Sequence, residues 1–346
     1  MKYIFSIVVL FSIATLWTSC EKMPDKSELP NSVAKKVWIV NEGNFQFGNS
    51  SLDVYFPDSQ TVFKNVYETA NNKKMGDVAQ TAVVRDKQLF TVVNNSAKIV
   101  VVNTDNYKEL YTISLTGSSP RYLHFVSANK AFVTELYANK IWVINPAIGT
   151  LLDTISAQGW TEQMAQIDNN IFITQRARLN GTYVANLLVI DASTNKILQT
   201  ISLPSEPNSL AQIGKYIYVM CEHSSTSNAK LVCVDATTKS VVKTWEFMNG
   251  SSPFALRSNA GKNELYWLNN GVFRMIADVG ALPASAFISG NNRNLYALNI
   301  NPLSDEIYVS DAVDYVQSSS VFRYKANGDL IQTFKTGIIT NSFIFE

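Results

Sequence analysis

Seven times along this chain a short run of β-branched and aromatic residues meets a polar turn and is followed by a second such run. In order the units are LDVYFPDSQTVFKNV, IVVVNTDNYKELYTI, IWVINPAIGTLLDTI, LLVIDASTNKILQTI, LVCVDATTKSVVKTW, VFRMIADVGALPASAF and VFRYKANGDLIQTF. The first runs close at Phe56, Asn103, Asn145, Asp191, Asp235, Ile276 and Lys325, spaced 41 to 49 residues apart. A period of about 45 residues is that of a four-stranded propeller blade. One such unit cannot bury its own faces, so stacking against neighbours must supply the core.

Two further strands precede each pair. The nearer ones are KVWIV, QLFTVV, KAFVTEL, NIFITQ, YIYVM, ELYWL and EIYVS; before six of them come GDVAQTAVV, SPRYLHFV, TEQMAQI, EPNSLAQI, SPFALRS and NLYALNI. The first unit lacks such an innermost strand, whereas the chain ends in a spare one, NSFIFE. Pairing the spare strand into the first unit completes every blade and removes an exposed edge. The expected fold is therefore all-β, a seven-bladed propeller of four-stranded blades over residues 36–346, closed by the C-terminal strand.

In an up-and-down blade the loop from the second to the third strand and the connection between blades share one face. Turns from the third to the fourth strand (PDSQ, TDNY, PAIG, ASTN, ATTK, ANGD) are short and carry ordinary turn chemistry. The second-to-third loops are longer and varied, for example NEGNFQFGNSS, QRARLNGTYVAN, CEHSSTSNAK and SDAVDYVQSSS. Varied loops on a rigid scaffold are where binding is expected. From these loops the candidate ligand contacts are Asn41, Asn44, Phe45, Phe47, Asn94, Tyr137, Arg176, Arg178, His223 and Tyr315. The interblade connections add Arg121, Trp160, Gln163, Asn208, Phe254 and Asn292. The set amounts to flat rings and neutral amides, with few charges.

Catalytic signatures are missing. There is no HExxH, GxSxG, Walker loop or GxGxxG, and only two histidines occur. His124 reads as a packed inner-strand residue, and acidic loop residues such as Glu42, Glu162, Glu206, Asp311 and Asp314 do not recur at equivalent positions. The expectation is a binding protein, without enzyme activity, metal centre or cofactor. A net charge of +1 and 16% charged residues leave no basic field to hold nucleic acid. Cys221 and Cys233 read as free buried thiols at strand positions.

The N-terminus sets the expected location. Residues 1–19 carry one early lysine, an apolar run and then small residues, the layout of a secretory signal. Cys20 follows, as in the lipobox of bacterial lipoproteins, with Trp17 a bulky departure from that pattern. Residues 20–35, rich in charge, proline and serine, read as a lipidated terminus and flexible tether.

The repeats VIDASTNKILQTI, VINPAIGTLLDTI and VVNTDNYKELYTI resemble those of the YncE-like seven-bladed propeller family. The opening KVWIVNEGNFQFGNSSLDVYF behind a lipobox-like cysteine is similar to the branch of surface lipoproteins that includes the BtuG-type vitamin B12 binders. The resemblance implies lipid anchoring at the outer membrane, facing the cell exterior. It also implies capture of cobalamin or a related corrinoid as transported ligand, and delivery to a TonB-dependent, BtuB-like transporter. The branch supplies no short ligand motif, so the candidate contacts rest on loop placement alone. A glycan-binding or adhesive propeller is the alternative, since carbohydrate hydroxyls and apolar sugar faces suit the same amides and rings.

Overall fold

A computed structural model describes residues 35–177, 183–225, 227–278 and 280–346. The expected signal, the expected lipidation site Cys20 and most of the expected tether therefore lie outside the described residues, as does Arg178. Seven antiparallel sheets of four strands each form the ring of blades.

The turns explain why the repeat exists. Asn103 Oδ1 accepts from the backbone N–H groups of Asp105 and Asn106 (2.9 and 3.1 Å), and Asn145 Oδ1 from Ala147 (3.1 Å). Asp191 Oδ1 accepts from Ser193 and Thr194 (2.9 and 2.8 Å), and Asp235 Oδ1 from Thr237 and Thr238 (2.8 and 3.2 Å). A short side chain that bonds its own backbone two and three residues on reverses the chain at the same point in four consecutive blades.

Second and third strands such as VWIVN, KIVVVN and KLVCVD are buried along almost their whole length, because each blade is covered by a neighbour on both faces. They are accordingly near-continuous apolar runs. Outer strands such as ILQTIS bury little beyond one isoleucine. Cores form between blades: Phe90, Val92, Ile99 and Val101 of blade two pack with Leu123, Ala131, Val133 and Trp142 of blade three. Cys221 and Cys233 are free and buried, as expected.

Closure occurs where the spare strand predicts it. Thr340–Phe345 is the innermost strand of blade one, followed by Val37–Asn41, Ser51–Phe56 and Thr61–Phe63, with Val37 opposite Phe345 and Trp38 opposite Ile344. Lys36 and Glu346 exchange both backbone bonds at 2.9 Å. The Glu346 carboxylate accepts from Trp38 Nε1 and from the Thr104 hydroxyl of blade two, each at 2.8 Å. Asp53, wholly buried, accepts from the backbone N–H of Asn65 and of Gly337, both at 2.8 Å. Gly337 belongs to the outer strand of blade seven, so this carboxylate bolts the last blade onto the first.

Two local expectations fail. ALPASAF is not the outer strand of blade six; that strand is only Ile288–Ser289, and the chain reaches it through a long excursion. At Ile276 no Asn or Asp side chain turns the chain as at Asn103, Asn145, Asp191 and Asp235. In blade one the outer strand stops at Phe63, and Asn65 in the left-handed region starts a helix, Val66–Asn71, which buries Val66, Tyr67, Thr69 and Ala70.

Candidate functional site

Every innermost strand carries one extra residue at the same height. The register slips between Ala79 and Thr81, Pro120 and Leu123, Thr161 and Met164, Pro207 and Ser209, Phe254 and Arg257, and Leu295 and Leu298. In the closing strand it slips at Asn341, between the partners of Val40 and Asn41. A bulge re-aims side chains. Here seven of them in a ring present polar groups to the central channel at the end that opens on the loop-bearing face.

Gln80, Tyr122, Gln163, Asn208, Phe254, Arg257, Tyr296 and Asn341, joined by Glu42 from the loop of blade one, line a cavity of about 270 Å³ at this mouth. Asn341 Nδ2 donates to the carbonyls of Gln80 (2.7 Å) and Ala79 (3.1 Å) and to Glu42 Oε1 (2.8 Å). The Tyr296 hydroxyl donates to Glu42 Oε2 at 2.9 Å. Arg121 Nε donates to Glu162 Oε2 at 2.8 Å, and its Nη1 to Gln80 Oε1 at 2.5 Å, tying blade three to blades two and four. Gln163 Oε1 accepts from the Leu210 backbone N–H (2.9 Å), and Asn208 Nδ2 donates to the Pro253 carbonyl (2.8 Å).

Burial raises the Glu42 carboxyl above its ordinary range despite these bonds and the attraction of Arg121. A raised folded-state value means that Glu42 contributes stability below about pH 4.5, where a free glutamate is protonated, and loses it as pH rises through the folded value. Glu42→Gln keeps an acceptor for Asn341 and offers Tyr296 a donor. The expected result is a Tm gain over wild type that is near zero at pH 4 and widens toward pH 7.5, read by thermal melts across that range.

The predicted contacts divide into rim, channel and brace. Phe45 and Phe47 do not pack beneath their loop: they are 62% and 72% exposed, with Tyr137 at 56% and Tyr315 at 44%. Among the aromatic side chains whose burial is described, these four are the exposed ones, and all lie on the loop-bearing face. Asn44 holds the first loop to blade seven through Nδ2 and the Tyr315 carbonyl (2.6 Å), while Asp77 Oδ2 accepts from the Gln46 backbone N–H (2.8 Å). Tyr137 meets Trp160 edge to face, ring centroids 5.8 Å apart, and Tyr315 meets Tyr296 in the same manner at 5.8 Å. Asn292 is exposed on the connection before blade seven, and His223 is exposed beside Ser252, Nδ1 to Oγ 3.4 Å.

Gln163, Asn208 and Phe254 line the channel mouth, and Arg121 braces it. Arg176 is held between Glu206 and Glu222 (3.2 and 3.4 Å) at the joint of blades four and five. Asn41 and Asn94 are buried beneath the face. Asn41 bonds Ser51 and Thr340 of the closing strand, and Asn94 Nδ2 donates to the Pro120 carbonyl of the next blade at 2.9 Å. Loop reasoning missed Gln80, Tyr122, Arg257, Tyr296 and Asn341. Their one signal is recurrence at blade spacing near the start of each inner strand.

Over 146 residues the chain is 27% identical to the uncharacterized protein YncE of Salmonella typhi, and equally to that of Salmonella typhimurium. The match takes in 41% of this chain and 38% of each relative, so it spans well under half of their length. Among solved structures, a quinonprotein alcohol dehydrogenase-like protein from Bacteroides thetaiotaomicron superposes with a TM-score of 0.66 at 13% identity, covering 89% of this chain and 77% of that one. AztD from Citrobacter koseri superposes with 0.57 at 9% identity, covering 91% and 98%, and virginiamycin B lyase from Staphylococcus aureus with 0.57 at 15%, covering 73% and 82%. These likenesses are of fold. Sequence similarity to YncE and the ring of seven blades agree on a YncE-like propeller, and the match of residues 35–341 places the chain in the family described as a domain of unknown function, DUF5074.

Proposed function

We propose that the chain is a surface-displayed, lipid-anchored binding propeller. It captures cobalamin or a related corrinoid on its loop-bearing face and hands it to a TonB-dependent outer-membrane transporter, performing no chemistry itself. The observation that carries this reading is the gathering of four exposed aromatics, Phe45, Phe47, Tyr137 and Tyr315, on one face. Between them the polar mouth of the channel offers amides and hydroxyls. A corrinoid is a broad, partly flat macrocycle fringed with amide arms, so it matches rings that cover its faces and neutral groups that pair its edge. The first loop is held by bonds from Asn44 and Asp77, and a preorganised rim keeps more of the contact energy as affinity.

The test is a calorimetric titration of the chain from Glu21 onward with cyanocobalamin, with visible absorbance followed through gel filtration. The expected result is saturation near one ligand per chain and co-elution of colour. Phe45→Ser together with Phe47→Ser, both outside the core, should weaken binding at least tenfold, about 1.4 kcal/mol, with Tm unchanged. No heat and no co-elution at micromolar protein would sink the corrinoid reading and leave a glycan as the occupant of the same rim.

A further inference from the structure

The charges at the channel mouth are unequally compensated. Arg121 sits between Glu162, which it bonds at 2.8 Å, and Glu42, whose carboxyl it attracts. Arg121 and Glu162 form an ion pair, while Glu42 takes its hydrogen bonds from Tyr296 and Asn341. Arg257 of blade six has no carboxylate: among the described residues it forms no ion pair, and its guanidinium makes one bond, Nη1 to the Leu256 carbonyl at 2.8 Å. An arginine carries five N–H donors, so most of this one's capacity is unspent.

Its setting makes that costly. Arg257 follows the bulge of its strand, where Ala255 takes a φ of 54°, a left-handed value uncommon for a residue with a side chain. That kink turns the side chain into the cavity at the channel mouth, where it is half-buried. Burial works against its charge. The Tyr122 hydroxyl lines the same cavity, receives a weak bond from Gln163 Nε2 at 3.4 Å, and gives its own proton to no described acceptor. Side-chain bonds cross the joints from blade seven through blade one to blade six at this height. Among the described residues none does so at this height between blades six and seven, which are joined lower down by Asn259 Nδ2 donating to Asp305 Oδ1 at 2.7 Å. Arg257 stands beside that joint.

We infer that the channel mouth holds a small monocarboxylate, its oxygens taking the free N–H groups of Arg257 and the proton of the Tyr122 hydroxyl. A guanidinium with no ion pair of its own suits one carboxylate, and Glu42 in the same cavity disfavours a doubly charged ion. The site lies at the channel mouth below the exposed rim aromatics, and its test uses no corrinoid.

Trifluoroacetate is a monocarboxylate that reports through ¹⁹F resonance. Titrated against the full chain at constant ionic strength, it should show a saturable shift that acetate reverses and equimolar chloride does not. Arg257→Gln should weaken binding at least tenfold, Arg257→Lys should retain part of it, and Tyr122→Phe should weaken it several-fold, which decides the matter even if the glutamine variant does not fold. An unsaturable response, reversal by chloride as strong as by acetate, or unaltered binding in Arg257→Gln or Tyr122→Phe would overturn the site. Stronger competition by phosphate than by acetate at pH 7.5 would overturn the assignment to a monocarboxylate.

Discussion

Removal of Thr340–Glu346 is expected to abolish the cooperative thermal transition of the chain. The deletion takes away the innermost strand of blade one, the buried ring of Phe343 and the acceptor for Trp38 Nε1 and Thr104. It leaves Val37–Asn41 as an unpaired edge facing the channel and Asn41 without its threonine partner. Unpaired buried backbone and polar groups cost about 1 to 3 kcal/mol each, so several together reach the whole stability of an ordinary fold, about 5 to 15 kcal/mol. Circular dichroism melts of the truncated and full chains measure the effect, and the peptide TNSFIFE supplied in trans should restore part of the transition. A truncated chain that melts within about 4 °C of the full one, roughly 3 kcal/mol for a protein of this size, would show that closure does not depend on this strand.

Replacing Arg121 with alanine should be the most damaging single change at the channel mouth. Its guanidinium joins three blades, and breaking a largely buried pair leaves Glu162 charged and uncompensated, at a cost of about 3 kcal/mol. In the variant, Glu42 loses the attraction of Arg121, so its carboxyl is raised further and gains by binding a proton in the folded state. Stability therefore falls as pH rises past about 4.3, the ordinary glutamate value, and the deficit against wild type is smallest in acid and largest near neutrality. Denaturant midpoints at pH 4 and pH 7.5 test this, and Arg121→Met combined with Glu162→Gln should recover part of the loss. A deficit that does not change with pH would mean that the arginine acts through packing alone.

What the sequence made legible follows from where the physics is local. Asn103, Asn145, Asp191 and Asp235 each bond the backbone that follows them, so the turn and its spacing are written in a few adjacent residues. The buried second and third strands are apolar throughout because both their faces are covered, and that too is visible without a structure. The helix at 66–71 was hidden, because QTVFKNV has the composition of a strand and the break depends on Asn65 adopting a left-handed backbone. Asn41 and Asn94 sit at loop boundaries and read as surface amides, yet the ring brings Thr340 and Pro120 against them from remote parts of the chain. The channel mouth was least legible. Whether a residue such as Gln80 or Tyr296 faces a neighbouring blade or the axis depends on one extra residue in a strand, and a bulge of that kind has no composition of its own.

The pairing of Lys36 with Glu346 also fixes a direction. Val37–Asn41 runs toward the loop-bearing face, so the chain enters the ring at the opposite end, beside the turns between first and second strands. Whatever precedes Lys36 thus leaves from the far side of the disc. Under the proposed anchoring, a leash attached at that point would leave Phe45, Phe47, Tyr137 and Tyr315 turned away from the mooring, where the surface to which the chain is fastened could not shade them.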